Sequence, residues 1–117
     1  MISREKFLSK TERRYKALSV DGDEYRIQSL TELERTKYEL DLQGKKGFAF
    51  EKAKRLFLCR TLVDDNGNRI FQDSDVDQME NVDGGLTGLL YDEASTHCGY
   101  KKDEIEELVK NSEKAGG

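Results

Sequence analysis

The chain contains no proline and no tryptophan, two cysteines and one histidine among its 117 residues. Without proline, its turns depend on glycine, asparagine and aspartate. Two cysteines close one bridge at most, so a disulfide-stapled scaffold is excluded. Cys59 and Cys98 read as the reduced thiols of a cytosolic protein. Long hydrophobic runs are missing as well. None approaches the ~20 residues of a membrane span, and the opening Met1 to Lys10 is too polar for a signal-peptide core. A basic excess is also absent: 20 Lys and Arg face 24 Asp and Glu, a net charge of -4. This argues against nucleic acid, whose binding domains carry their cations in excess on one face. The densest basic stretch, Lys45 to Arg55, is interrupted by Glu51 and apolar residues and reads as a solvated face.

What is present is charge and a modest apolar complement. Charged residues make up 38% of the chain, against about 25% in an ordinary domain. Leu, Ile, Val and Phe supply 27 residues, just above the level of roughly 20% below which a highly charged chain stays disordered. The expectation is one small α+β domain over residues 1–112 with a thin core. Residues 1–14 read as a loose arm and residues 113–117 as a disordered tail.

Taken in order, Ser3 to Ser9 predicts a short helix with Phe7 and Leu8 as its apolar pair. Tyr15–Val20 and Glu24–Ser29 flank Asp21-Gly22-Asp23, a hairpin signal because glycine tolerates positive φ. Tyr25 and Ile27 then share one strand face. Ser29 with Glu32, and Thr31 with Glu34, form two overlapping capping boxes. They start a helix over about 31–42, with Leu33, Tyr38 or Lys37, and Leu40 as its buried stripe. Gly44 is its natural stop, and Lys45-Lys46-Gly47 is a loop.

Phe50, Ala53 and Phe57 have helical spacing, whereas Leu56 to Val63 is rich in strand formers. The reading adopted is a strand over Arg55–Val63, turning through Asp64-Asp65-Asn66-Gly67-Asn68 and returning at Arg69–Phe71 as a second hairpin, 55–71. Asp73-Ser74 then caps a helix over about 75–97, Ser74 pairing with Asp77. Val76, Met79, Val82 or Asp83, Leu86, Leu89 and Leu90 trace its apolar face. Gly84, Gly85 and Gly88 weaken it by about 1 kcal/mol each relative to alanine. A last helix, about 102–110, turns Ile105, Leu108 and Val109 to one side.

The acids around the turn invite a calcium reading, which fails in both registers. With Gly67 at position 6 of an EF-hand loop, position 1 falls on Leu62. Starting at Asp73 puts Gln78 where glycine is needed and Gly84 where glutamate is needed. His97 and Cys98 are adjacent, so on a helix they point about 100° apart, poorly placed for a nucleophile and its base. A zinc site lacks motif spacing. No glycine-rich phosphate loop or nucleophile elbow occurs. The expectation is a protein without cofactor, catalytic residues or dedicated metal site.

Several segments, in order, resemble the tail assembly chaperones of long-tailed bacteriophages and prophages. They are the arginine-bearing strand and cap Tyr25-Arg26-Ile27-Gln28-Ser29-Leu30-Thr31-Glu32-Leu33-Glu34-Arg35, the apolar stretch and turn from Leu62 to Phe71, the helix start Asp73 to Val76, and the acidic helix Glu104 to Ser112. The resemblance covers about residues 15–112. The chain departs from the pattern at Gly84-Gly85, where helix formers are expected, and at His97-Cys98-Gly99. The resemblance implies a non-enzymatic holdase that coats the helical tape measure protein and recruits the tail tube subunit. It implies action in the host bacterial cytoplasm and absence from the finished virion. Many such proteins also have a longer, frameshifted form. A holdase needs apolar surface balanced by charge. Leu56 and Leu58 of the two-faced strand, with Val76, Met79, Leu86 and Leu90 of the helical stripe, are therefore candidates for client contact or self-association. The plainer reading of the same residues is ordinary core. The alternative function is a small acidic regulator binding a divalent metal through the Asp64–Asp77 carboxylates; a weaker one is a thiol enzyme using Cys98.

Overall fold

Local chemistry sets the first elements of the computed structural model, which describes residues 1–43 and 49–115, with side chains through Asn111. Ser3 caps α1 (Arg4–Leu8) by accepting from the Lys6 amide at 3.1 Å. β1 (Tyr15–Val20) and β2 (Asp23–Gln28) pair antiparallel in the register Leu18↔Tyr25 and Lys16↔Ile27. Asp21 and Gly22 both take positive φ, 52° and 85°. That backbone matches the right-handed twist of a two-residue hairpin. Lys16, Leu18 and Val20 share the half-buried face of β1, while Tyr15, Ala17 and Ser19 face out. The charged member of that inner face, Lys16, reaches Glu93 at 2.6 Å.

The capping box at Thr31 and Glu34 forms and opens α2 (Glu32–Leu42). Ser29 does something else: its hydroxyl accepts from the Arg14 amide at 2.9 Å, tying the approach to β1 onto the end of β2. The expected buried stripe of α2 is rotated. Tyr38 and Leu42, four residues apart, are buried, and Leu33 and Leu40 face outward. Residues at i and i+4 lie above one another on a helix, so a Tyr38–Leu42 face leaves Leu33 and Leu40 on another side. The expected stop at Gly44 and the loop Lys45-Lys46-Gly47 lie outside the described residues; α2 ends at Leu42.

The largest correction is at the expected strand 55–63. It is the second half of α3 (Phe50–Thr61), and only Leu62–Val63 is strand, β3. A short apolar run reads equally as buried strand or buried helix, and flanking length decides. Here Phe50, Ala53 and Phe57 continue the helical spacing backward through Glu51, Lys52, Lys54 and Arg55, all good helix formers. The helix is apolar on several sides because it is central: Ala53, Leu56, Phe57, Leu58, Cys59 and Thr61 are all buried. β3 pairs antiparallel with β2 at Ile27 and Arg26, giving a sheet in the order β1-β2-β3. The expected second hairpin shrinks to a single bridge, Val63 to Arg69. Between them the Asp64 carboxylate accepts from the amides of Asn66 and Asn68, and Gly67 takes φ 81°.

The expected helix 75–97 is two elements. A 3-10 helix spans Asp73–Met79, and α4 spans Gly84–His97 with Asp83 as its cap. The break falls at Glu80 to Asp83, just before Gly84-Gly85, and the glycines begin the new helix. The first element is capped by Asp75, whose carboxylate accepts from the Gln72 amide at 2.7 Å, and not by the expected Ser74 pair. α5 (Glu104–Ala115) buries Ile105 and Val109, with Leu108 packed beside them, and its backbone continues past Lys110. Gly116 and Gly117 lie outside the described residues.

Phe57 of α3 is the hub of the core. Edge-on contacts place its ring 5.1 Å from Tyr38, 6.0 Å from Tyr91 and 5.7 Å from Tyr100, joining α2, α4 and the α4–α5 turn to one side chain. Edge-to-face pairs add to the area buried by the rings themselves.

Candidate functional site

Arginines bind the sequence motifs to one another. Arg13 grips both oxygens of Glu34, at 2.7 and 3.1 Å, and also donates to the Ser29 carbonyl. This bidentate contact holds the Glu34 carboxyl below its ordinary range. Arg26 lies 4.1 Å over the Tyr15 ring and donates to the Asp65 carbonyl, so β2 supports the acidic turn. Arg60 joins Asp41 of α2 to Asp73, and Arg69 reaches the same Asp73 at 2.7 Å. Burial opposes ionisation of Asp73, yet the two guanidiniums keep its pKa low. Arg35 lies 3.9 Å over Tyr100 and reaches Glu39 and Glu104, joining α2 to α5.

These contacts account for most of the acids that suggested a metal. Asp64 closes the turn, Asp73 is doubly paired, and Asp75 caps the 3-10 helix. Among the described residues no group of three His, Cys, Asp or Glu side chains converges. The thiol reading meets a similar geometry. His97 Nε2 faces the Arg14 carbonyl at 3.2 Å, whereas Cys98 Sγ faces the Gln28 carbonyl at 3.6 Å. Burial pushes both Cys59 and Cys98 up to about 11, away from thiolate reactivity.

The residues expected to meet a partner lie inside. Leu56, Leu58, Val76, Met79 and Leu90 are buried, and Leu86 is half-buried. They belong to the core, so in this conformation a partner meets other side chains. Among the described residues, Tyr15 and Ile70 are exposed singly, and other apolar side chains stand out on the arm, on α2 and near the start of α4. Ile2, Phe7 and Leu8 stand out on the arm, where α1 buries no residue. Leu33 and Leu40, 74% and 61% exposed, form a ridge on the outside of α2. Val82 and Leu89 stand out around the start of α4. Sequence reasoning assigns Leu33, Leu40 and Leu89 to buried stripes. No signal local to α2 separates the competing i, i+4 pair Tyr38–Leu42 from Leu33 and Leu40; the Tyr38 hydroxyl finds the Ala53 carbonyl and its ring finds Phe57, which settles the inward face.

Charge is unevenly distributed around these patches. Between Arg69 and Lys101 there are seven Asp and Glu and no Lys or Arg. Arg60, Arg69 and Lys16 reach in to pair with Asp73 and Glu93. Among the described residues, no ion pair involves Asp77, Glu80, Asp83 or Asp92. Among the described residues no helix is long and apolar enough to cross a membrane. No protein-family model, curated protein or solved structure matches the chain.

Proposed function

We propose that this chain is a tail assembly chaperone of a long-tailed phage or prophage. In this reading it is a non-enzymatic holdase that acts in the host cytoplasm. It binds the tape measure protein while the tail tube subunit is recruited. The observation that carries the reading is the pair of exposed leucines, Leu33 and Leu40, on a helix whose other face is already packed. They are seven residues apart, two helical turns, and so form a ridge parallel to the helix axis. A ridge of this kind packs into the groove of another helix, which is the form of a long helical client. Glu32, Thr36 and Lys37 are exposed beside it and keep the ridge wetted when the client is absent. The ordered resemblance over residues 15–112 supports a tape measure protein as that client, and the ridge is the surface proposed for it.

The genome gives the cheapest test. The reading expects this gene between the genes for the tail tube subunit and a very long tape measure protein. The purified tube subunit of the same genome should co-elute with the chain bound to tape measure protein. A gene set apart from any tail cluster, with no binding of either protein, contradicts the reading.

A further inference from the structure

The turn between β3 and the 3-10 helix holds the chain's one Asn-Gly pair, Asn66-Gly67. We infer that this pair is a site of spontaneous covalent modification, at which the main chain of Gly67 converts the Asn66 side-chain amide to isoaspartate or aspartate.

The reaction begins when the amide nitrogen of the following residue attacks the asparagine side-chain carbonyl, and a side chain on that following residue shields the nitrogen. Of the four asparagines, Asn68 precedes Arg69, Asn81 precedes Val82 and Asn111 precedes Ser112; Asn66 alone precedes glycine. Asn66 is exposed, and among the described residues its side chain makes no hydrogen bond that would hold the amide away from Gly67. The step balances with water alone. The Gly67 nitrogen bonds to Asn66 Cγ and gives up its proton, the Cγ–Nδ2 bond breaks, and the side-chain nitrogen takes up a proton and leaves as ammonia. Water then opens the cyclic imide. Opening on the Cγ side leaves aspartate. Opening on the main-chain side leaves isoaspartate, whose main chain runs through Cβ and Cγ and is longer by one carbon.

The folded turn acts as a brake. Gly67 N–H donates to the Asp64 carbonyl at 3.0 Å, and Asp64 Oδ1 accepts from the amides of Asn66 and Asn68 at 2.8 and 3.0 Å. The Tyr15 hydroxyl closes over Gly67, 2.9 Å from where a Cβ would stand. The nitrogen is free to attack only while these contacts are open, so the rate follows local opening of the turn. Isoaspartate cannot close the same turn again, because its extra carbon lies inside every bond that spans residues 64–68. Those bonds set the position of Arg69, which bridges back to Val63, donates to the Cys59 carbonyl at 2.8 Å and pairs with Asp73 at 2.7 Å. Modification therefore loosens the join between α3 and the 3-10 helix.

Ageing the purified full chain in warm, neutral buffer and mapping isoaspartate by methyltransferase labelling and peptide mass spectrometry tests this. Isoaspartate should build up at Asn66 at least about tenfold faster than at Asn68, Asn81 or Asn111. The chain unfolded in urea should react faster still. Folded Asp64→Ala keeps the Asn-Gly pair but loses the carboxylate that clasps it, and its rate should fall between the two. If Asp64→Ala loses its fold, the parent's rate should rise with urea below the unfolding transition. The isoaspartate form should melt below the fresh parent and below Asn66→Asp, which gains the charge without the extra carbon. A folded parent that keeps Asn66 intact while the unfolded chain converts it overturns the inference. So does a folded rate equal to the unfolded one, and so does an isoaspartate form as stable as the fresh chain.

Discussion

The hydroxyl of Tyr38 donates to the main-chain carbonyl of Ala53 at 2.8 Å, from a side chain with no exposed surface. That bond fixes the inner face of α2 against α3 and so decides which leucines of α2 are left outside. Tyr38→Phe should cost about 1 kcal/mol, the net worth of one buried hydrogen bond. Tyr38→Ala should cost about 3–5 kcal/mol because it also opens a cavity beside Phe57. Urea unfolding followed by circular dichroism measures both. Equal stability of the phenylalanine variant and the parent would show that the bond contributes nothing net.

Two glycines should respond in opposite directions. Gly67 sits at φ 81°, and a Cβ there would come 2.9 Å from the Tyr15 hydroxyl. Gly67→Ala should destabilise by about 1–2 kcal/mol, the cost of left-handed backbone for a residue with a side chain. Gly88 lies inside α4 with open space where a Cβ would be. Gly88→Ala should stabilise by about 0.5–1 kcal/mol through helix propensity and a less flexible unfolded chain. Thermal unfolding of the pair checks the sign of each.

Acid should weaken the tie between the root of the arm and α2. Arg13 hydrogen-bonds Glu34 and holds its pKa below the ordinary 4.5. The folded value is the lower one. The contribution is therefore complete above the ordinary value and is lost as pH falls through the depressed one. Stability measured against pH should decline on the acid side of 4.5, and Glu34→Gln should flatten that decline. An unchanged slope in Glu34→Gln would assign the acid response to other carboxylates.

Both thiols should be silent in the folded chain. Cys59 and Cys98 are pushed by burial from 9.0 up to about 11. At about pH 8 that leaves roughly a hundredfold less thiolate than an ordinary cysteine has. Iodoacetamide should modify neither until denaturant is added, after which both should react. Rapid labelling of Cys98 in the native chain would revive a thiol chemistry at the end of α4.

The fold was legible where chemistry is local. The Asp21-Gly22 hairpin, the Thr31–Glu34 capping box and the short helix of the arm all arise from neighbouring residues, and each forms where its signal lies. Legibility failed where burial is set from several sides at once. Leu56 to Cys59 is apolar and buried on every side because α3 sits at the centre of the molecule, which erases the helical period and imitates a two-faced strand. The leucine ridge was hidden for a related reason. Leu33 and Leu40 are as good a candidate stripe as Tyr38 and Leu42 until α3 supplies the Ala53 carbonyl and the Phe57 ring, partners that favour tyrosine. The six residues expected at a partner surface were chosen for their apolar character, and burial claimed five of them for the same property.

The central claim is that the Leu33–Leu40 ridge keeps a helical tape measure protein in solution. The direct measurement is the soluble fraction of the tape measure protein encoded in the same genome, expressed with the parent chain and with Leu33→Ser, Leu40→Ser. The account predicts a soluble complex with the parent and aggregated client with the variant, which itself stays folded because neither leucine is packed. A client that is equally insoluble with and without the parent chain would contradict the chaperone reading. A client kept equally soluble by the variant would contradict the assignment of the ridge.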